Sequence, residues 1–191
     1  MGSGCQCVQM GFLHMELRVA EAIILNGRHH LCAWKPGEIA RLLRDGRSLP
    51  EAKIIAARRR FLVDELRMNN IVVAIGKNLA AKWAIDSEAV GVTYYAIGTG
   101  ITPPAAGDTQ LGTEVERKLF ATRTTTGGVA TFSAYFPKAD CTYFIKEVGA
   151  FGGASASLTA NSGILTSHAA LNYDNSAGAV DLTFDLDLTF A

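Results

Sequence analysis

Val180-Asp-Leu-Thr-Phe-Asp-Leu-Asp-Leu-Thr-Phe190 alternates without a break. Val180, Leu182, Phe184, Leu186, Leu188 and Phe190 fall on one side of an extended chain. Asp181, Thr183, Asp185, Asp187 and Thr189 fall on the other. Side chains of a strand point alternately to its two faces, so this run predicts a strand with one face buried and the other wet. At ~3.3 Å per residue it spans roughly 36 Å, about twice the ~17–20 Å of an ordinary strand. Either the strand bends through two sheets or its far end lies against another subunit, and the second is the expectation. Outward aspartates would discourage open-ended edge pairing.

The same period of two runs backwards through the chain. Val92 to Ile97, Val115 to Thr125, Ala130 to Phe136, Thr142 to Phe151, Gly163 to Asn172 and Ala179 to Phe190 all read as strands. Thr126-Gly127-Gly128 and Asn175-Ser176-Ala177-Gly178 supply turns between them. Several short strands at this spacing predict a mainly β fold, an antiparallel β-sandwich or jelly-roll-like module.

The first third is different. Pro36-Gly37 predicts the opening of a short helix through Arg44, with Ile39, Leu42 and Leu43 on one side. Ser48-Leu49-Pro50-Glu51 has the pattern of a capping box with proline in the first turn. Ile54, Ile55, Phe61, Leu62 and Leu66 recur near helical spacing, which predicts a helix running to about Met68. Ile71 to Ile75 reads as a short strand and Gly76 to Trp83 as a short helix, with Leu79, Ala80 and Trp83 inward. Asn26-Gly27 is a turn signal. Glu16 to Leu25 fits a strand or a helical turn, and Met1 to Gly11 has little to hold it in place. The expected division is a helical docking extension over residues 1–68 and a β-sandwich module with one short helix over residues 69–191.

Within that module, Tyr95-Ala-Ile-Gly-Thr-Gly-Ile-Thr-Pro-Pro-Ala-Ala-Gly-Asp-Thr-Gln-Leu-Gly-Thr-Glu114 carries an apolar strand into a Gly-x-Gly turn and a Pro-Pro, Gly-Asp loop. Lys146-Glu-Val-Gly-Ala-Phe151 and the closing strand follow downstream. Together these resemble a module of small structural proteins of tailed bacteriophages, seen in fibres, head-decorating proteins and neck or baseplate components. Ala150 stands where that module usually has leucine. The resemblance covers roughly Asn69 to Ala191, and relatives open the same way, with a strand followed by a helix. It implies a non-catalytic building block of the virion that forms homotrimers and attaches to head, neck or tail. The loop from Ile101 to Leu111 is the expected contact segment, because a proline-stiffened loop loses little entropy on docking. The expected interface residues are Ile101, Thr102, Pro103, Pro104, Asp108 and Leu111, with the strand residues Phe184, Leu186, Leu188 and Phe190. Two alternatives stay open: a receptor- or glycan-binding tip, drawing on Tyr94, Tyr95, Tyr135, Tyr143 and Tyr173, and a hydrolase of cell-surface polymer.

Candidate chemistry is sparse. Gly98-Thr99-Gly100 follows a strand but lacks the third glycine of a dinucleotide fingerprint, and prolines stand where a helix should begin. Its glycines read instead as positions of positive φ in a tight loop. Cys5, Cys7, His29, His30 and Cys32 are zinc-ligand types at the wrong spacing. Aspartates two apart on a strand lie some ~6–7 Å from each other, wide for one calcium shell. Ser167-His168 shows no strained elbow and implies no acid partner, and Glu114 and Glu116 read as exposed. No catalytic group, cofactor or metal is expected.

The net charge is zero, but residues 1–85 hold 13 Lys/Arg against 7 Asp/Glu, and residues 86–191 hold 5 against 11. Opposite signs allow one part to dock on the other or on a neighbouring subunit. The basic stretch around Arg58-Arg59-Arg60 lacks interleaved aromatics and reads as a solvated or docked helix face rather than a nucleic-acid contact. Four cysteines, three of them in the first 32 residues, do not make a disulfide framework. No apolar run reaches membrane-spanning length, and no signal peptide is recognised. The expected partners are further copies of the chain, other virion proteins and a host surface receptor, with no membrane, and the expected location is the virion.

Overall fold

The computed structural model describes residues 25–85, 87 and 90–190. Ten strands and three helices follow in the order β1 (Leu25–Trp34), α1 (Glu38–Arg44), α2 (Leu49–Arg58), β2 (Leu62–Asn69), β3 (Ile71–Val72), α3 (Ala74–Ala84), β4 (Val92–Gly98), β5 (Glu114–Leu119), β6 (Thr122–Thr126), β7 (Val129–Phe136), β8 (Phe144–Gly152), β9 (Ile164–Asp174) and β10 (Asp181–Phe190). They form two five-stranded antiparallel sheets, ordered β2-β1-β10-β7-β6 and β3-β9-β8-β4-β5. The chain is a mainly β sandwich with short helices.

The sheets face each other across one apolar core. Leu31, Phe136, Leu182, Phe184 and Leu186 from the first meet Tyr95, Ile97, Ile145 and Val148 from the second. Tyr95 stacks on Phe184 with ring centroids 4.8 Å apart, and Phe136 meets Phe184 edge-on at 5.5 Å. Two stretches turn the corner from one sheet to the other. Asn70 separates β2 from β3, and Phe120-Ala121 separates β5 from β6. At the second corner the amide of Phe120 donates to Thr93 and that of Ala121 to Ser133, in opposite sheets. The stretch Val115 to Thr125, read as one strand, is therefore two.

Each sheet is also covered outside. On the first, α1 and α2 bury Ile39, Leu42, Leu49, Ala52 and Ala56 against Trp34 and Cys32. On the second, Val73 and Leu111 cover Ala96, Phe151 and Leu165. Gly76 in α3 sits so close to β9 that an added Cβ would meet the Thr166 carbonyl oxygen at 2.5 Å. The β6–β7 hairpin closes through Gly127 and Gly128 at φ +56° and +79°, the two positive values that suit strand twist.

Several expectations are corrected. The helix predicted to reach Met68 ends at Arg58, and Leu62–Asn69 instead pairs with β1 as an edge strand. Leu62 and Leu66 satisfy a spacing of four in a helix and equally a period of two, and pairing along β1 decides between them. Arg60, at φ +58°, occupies the left-handed position that ends the helix. Asn26-Gly27 lies inside β1 rather than in a turn. The glycine is needed because Asn70's side chain occupies the space of a Cβ, 2.3 Å away. The strand Ile71 to Ile75 stops at Val72, where α3 takes over.

The largest correction concerns β10. It is the central strand of its sheet, and its aspartate face is not wet. Asp181 accepts from the backbone N–H of Gly37 at 2.8 Å and of Lys138 at 2.9 Å, and from Tyr135 at 3.0 Å. Thr183 accepts from the Trp34 indole at 2.9 Å. Asp185 pairs with Lys53 of α2 and accepts from Ser133 at 2.6 Å. The alternation is one apolar face and one polar face that is buried at Asp181 and Thr183 and half-buried beyond, with each aspartate hydrogen-bonded or paired.

Candidate functional site: a loop held by a buried carboxylate

The loop between β4 and β5 folds back over the outer face of the second sheet, and Glu147 of β8 holds it there. One carboxylate oxygen accepts from the amides of Gly100 at 2.9 Å and Thr113 at 2.7 Å. The other accepts from Gly112 at 3.0 Å and from His168 Nε2 at 3.0 Å. The second nitrogen of His168, Nδ1, reaches Asp108 at 2.7 Å. Asp108 also accepts from the Ala105 amide at 2.7 Å, which closes the turn at the loop's far end.

The glycines follow from this carboxylate. A Cβ on Gly98 would lie 2.6 Å from Glu147 Oε1 and one on Gly100 2.3 Å from it. Neither glycine has positive φ among those that do. Their expected role as left-handed turn residues is corrected: they are present because a side chain would collide with the carboxylate. Gly149, two residues along the same strand face, leaves room for Leu111, whose methyl group would meet an added Cβ at 2.9 Å. The two quoted motifs are thus two halves of one lock.

The charge state is clear from geometry. His168 bonds a carboxylate through each nitrogen, and only the imidazolium donates from both. Burial opposes its charge, but the hydrogen bonds and charges of Glu147 and Asp108 prevail and its pKa is raised. Burial likewise opposes ionisation of Glu147. His168 and the three backbone N–H groups outweigh it and bring the carboxyl down to about 2. Both oxygens of Glu147 and both nitrogens of His168 are engaged, so the cluster anchors the loop.

Ser167 and His168 are neighbours in sequence but point to opposite faces of β9. Ser167 faces the core, where its hydroxyl lies 3.4 Å from His29 Nε2, and His29 Nδ1 meets the Tyr95 hydroxyl at 2.7 Å. Burial, with a smaller push from His168, lowers the His29 pKa to about 3 and keeps it neutral. His30 faces the other way, toward Glu65 at 2.8 Å. Cys5 and Cys7 lie outside the described residues, as do Met1 to Gly11 and nearly all of Glu16 to Leu25.

A second buried pair steadies the neighbouring loop. Glu114, read as exposed, and Arg117 both bury their side chains. The Arg117 guanidinium donates to Glu114 at 2.7 Å and to the carbonyls of Ser157 at 2.8 Å and Ser162 at 3.1 Å. It lies over the Phe151 ring at 4.4 Å.

The expected interface residues divide. Ile101 is 84% exposed, Thr102 and Pro103 are exposed, and Pro104 and Asp108 are half-buried. A groove of about 350 Å³ runs beside Pro104, lined by Met68, Ile71 and Ala170 with His168 at its edge. Leu111, Phe184, Leu186 and Leu188 belong to the chain's own interior, so they offer no surface to a partner in this fold. Phe190 is 40% exposed at the end of β10. Sequence reasoning missed the meeting of Asp108, Glu147 and His168. The available signal was Glu147 itself, a lone acid in the apolar run Val148-Gly149-Ala150-Phe151, where burial demands a partner.

Among the described residues no helix is long and apolar enough to cross a membrane. No family model, curated protein or solved structure matches the chain.

Proposed function

We propose that this chain is a non-catalytic structural protein of a tailed-phage virion, which assembles with copies of itself, as a homotrimer, and attaches to other virion proteins through the loop from Ile101 to Leu111. The observation that supports this reading most is the use of the Glu147 carboxylate. Three backbone amides and an imidazolium saturate it, so the group is committed to loop geometry. A loop fixed in this way presents Ile101, Thr102 and Pro103 with little ordering cost on association. The groove beside Pro104, which Met68 and Ile71 line together with Asn69 and His168, gives a partner's side chain somewhere to go.

The test is the particle itself. Mass spectrometry of purified virions should detect the chain at stoichiometric copy number, and electron microscopy should show density for two packed sheets with the Ile101 loop against a neighbour. Absence of the chain from intact particles contradicts the proposal, as does turnover of a cell-surface polymer by the purified protein. A receptor- or glycan-binding tip would instead show a signal on a glycan array.

A further inference from the structure

Between Lys35 and Arg60 the chain has eight basic and three acidic residues, and the fold sorts the basic ones into two groups. Lys53 turns inward to Asp185. Arg41 is taken by Glu38 at 2.7 Å and lies 3.9 Å from Asp45, and Lys35 lies over the Phe61 ring. Arg44, Arg47, Arg58, Arg59 and Arg60 are all exposed. Among the described residues their side chains have no ion pair or hydrogen bond. The helices dock on the sheet through apolar residues and Lys53, which leaves these five arginines facing solvent. Arg47 precedes α2 and Arg58 ends it, so the ten-residue helix separates the two groups by roughly 15 Å.

Among the described residues of the second half, most acidic groups of a further copy are already engaged. Glu114, Glu147 and Asp181 are buried with partners, and Asp185 and Asp187 are bonded within the first sheet. Glu116 and Asp140 share Lys118 at 3.4 and 2.7 Å. That favours a source of complementary charge other than a further copy.

We propose that the α1–α2 hairpin is a sequence-independent contact for the phosphate backbone of duplex DNA. Phosphate contact needs arginines and no apolar anchor. A protein interface is built around a desolvated apolar centre, and here only Ile54 stands exposed among the charges. Single strands are held by stacking on aromatic rings; Trp34 beneath these helices is buried, Phe61 and Tyr135 pack against its cluster, and the Phe61 ring is taken by Lys35. Arg60 adds an independent sign. It holds φ +58° at a helix-ending position where glycine is the relaxed choice, and a residue kept against local preference points to use of its side chain. The hairpin covers the sheet opposite to the one carrying the Ile101 loop, so this site stands apart from the docking reading.

Fluorescence anisotropy of a short labelled DNA duplex of arbitrary sequence, titrated with the full chain at several salt concentrations, tests it. The logarithm of the binding constant should fall against the logarithm of salt with a slope between about −3 and −5. The triple variant Arg58→Gln, Arg59→Gln, Arg60→Gln should reduce that slope by about three and Arg60→Gly by about one. Because Arg60→Gly relieves the backbone, its weaker binding should accompany a higher melting temperature, which separates lost contact from lost fold. No binding at low salt overturns the proposal. So does a slope unchanged in the triple variant, or polyglutamate competing as well as the duplex at equal charge, which would identify an acidic protein partner.

Discussion

At Glu147 four donors converge on one carboxylate, and that arrangement explains residues far from it in sequence. Replacement by glutamine keeps the shape but gives an amide with one acceptor oxygen and a nitrogen that only donates. Buried donors would then face a donor. Glu147→Gln should lower unfolding stability by about 2–3 kcal/mol, read from urea midpoints, and an unchanged midpoint would contradict the lock. Arg60 gives the opposite sign. Left-handed backbone costs a side-chain-bearing residue about 1–2 kcal/mol, so Arg60→Gly should stabilise the chain by about 1 kcal/mol, measurable in the same titration. A loss of stability there would mean the arginine makes an intramolecular contact the fold does not show.

Among the elements, β10 was legible as a strand because its alternation is unbroken, and the two-sheet class followed from the spacing of its neighbours. The cover over its aspartates was not legible. Asp181, Thr183 and Asp185 look solvent-facing until Tyr135, Trp34 and Lys53 are brought to them from positions up to 149 residues away. The extent of α2 was ambiguous for a local reason: Leu62 and Leu66 suit both periods, and only the partner strand chooses. Gly98 and Gly100 were recognised as special for the wrong reason, since Glu147 lies 47 residues from Gly100.

The strand pair β1–β10 also carries the pH response. Asp185, 3.7 Å from His30, with a further contact to Cys32 at 3.4 Å, raises the His30 pKa from 6.5 to about 10 despite partial burial. A raised pKa contributes stability that is complete below the ordinary value and lost as pH climbs through about 10. His29 is lowered to about 3 and Glu147 to about 2. Their contributions are complete above the ordinary values of 6.5 and 4.5 and are lost as pH falls through the folded ones. Stability should therefore peak near neutrality. On the alkaline side the decline in wild type should flatten in His30→Gln, as followed by melting temperature against pH. Parallel profiles for the two proteins would exclude His30 as a cause.

For the whole molecule, residues 25–68 are built into the sandwich, because β1 lies between β2 and β10 in the first sheet. A chain beginning at Met68 would lose β1 and all but the end of β2, uncovering Phe184 and Leu186. It should be unfolded or aggregated by circular dichroism and gel filtration. A monodisperse, folded fragment would contradict the topology. The helices, the two sheets and the Glu147 lock together support the exposed loop that carries Ile101. We propose that this loop joins the chain to its partners. Light scattering after gel filtration of wild type and Ile101→Asp tests it most directly, since Ile101 is 84% exposed and its replacement leaves the interior untouched. The account predicts a trimer for wild type and a folded monomer for the variant. Wild type that stays monomeric at every concentration, or a variant that assembles as wild type does, would contradict it.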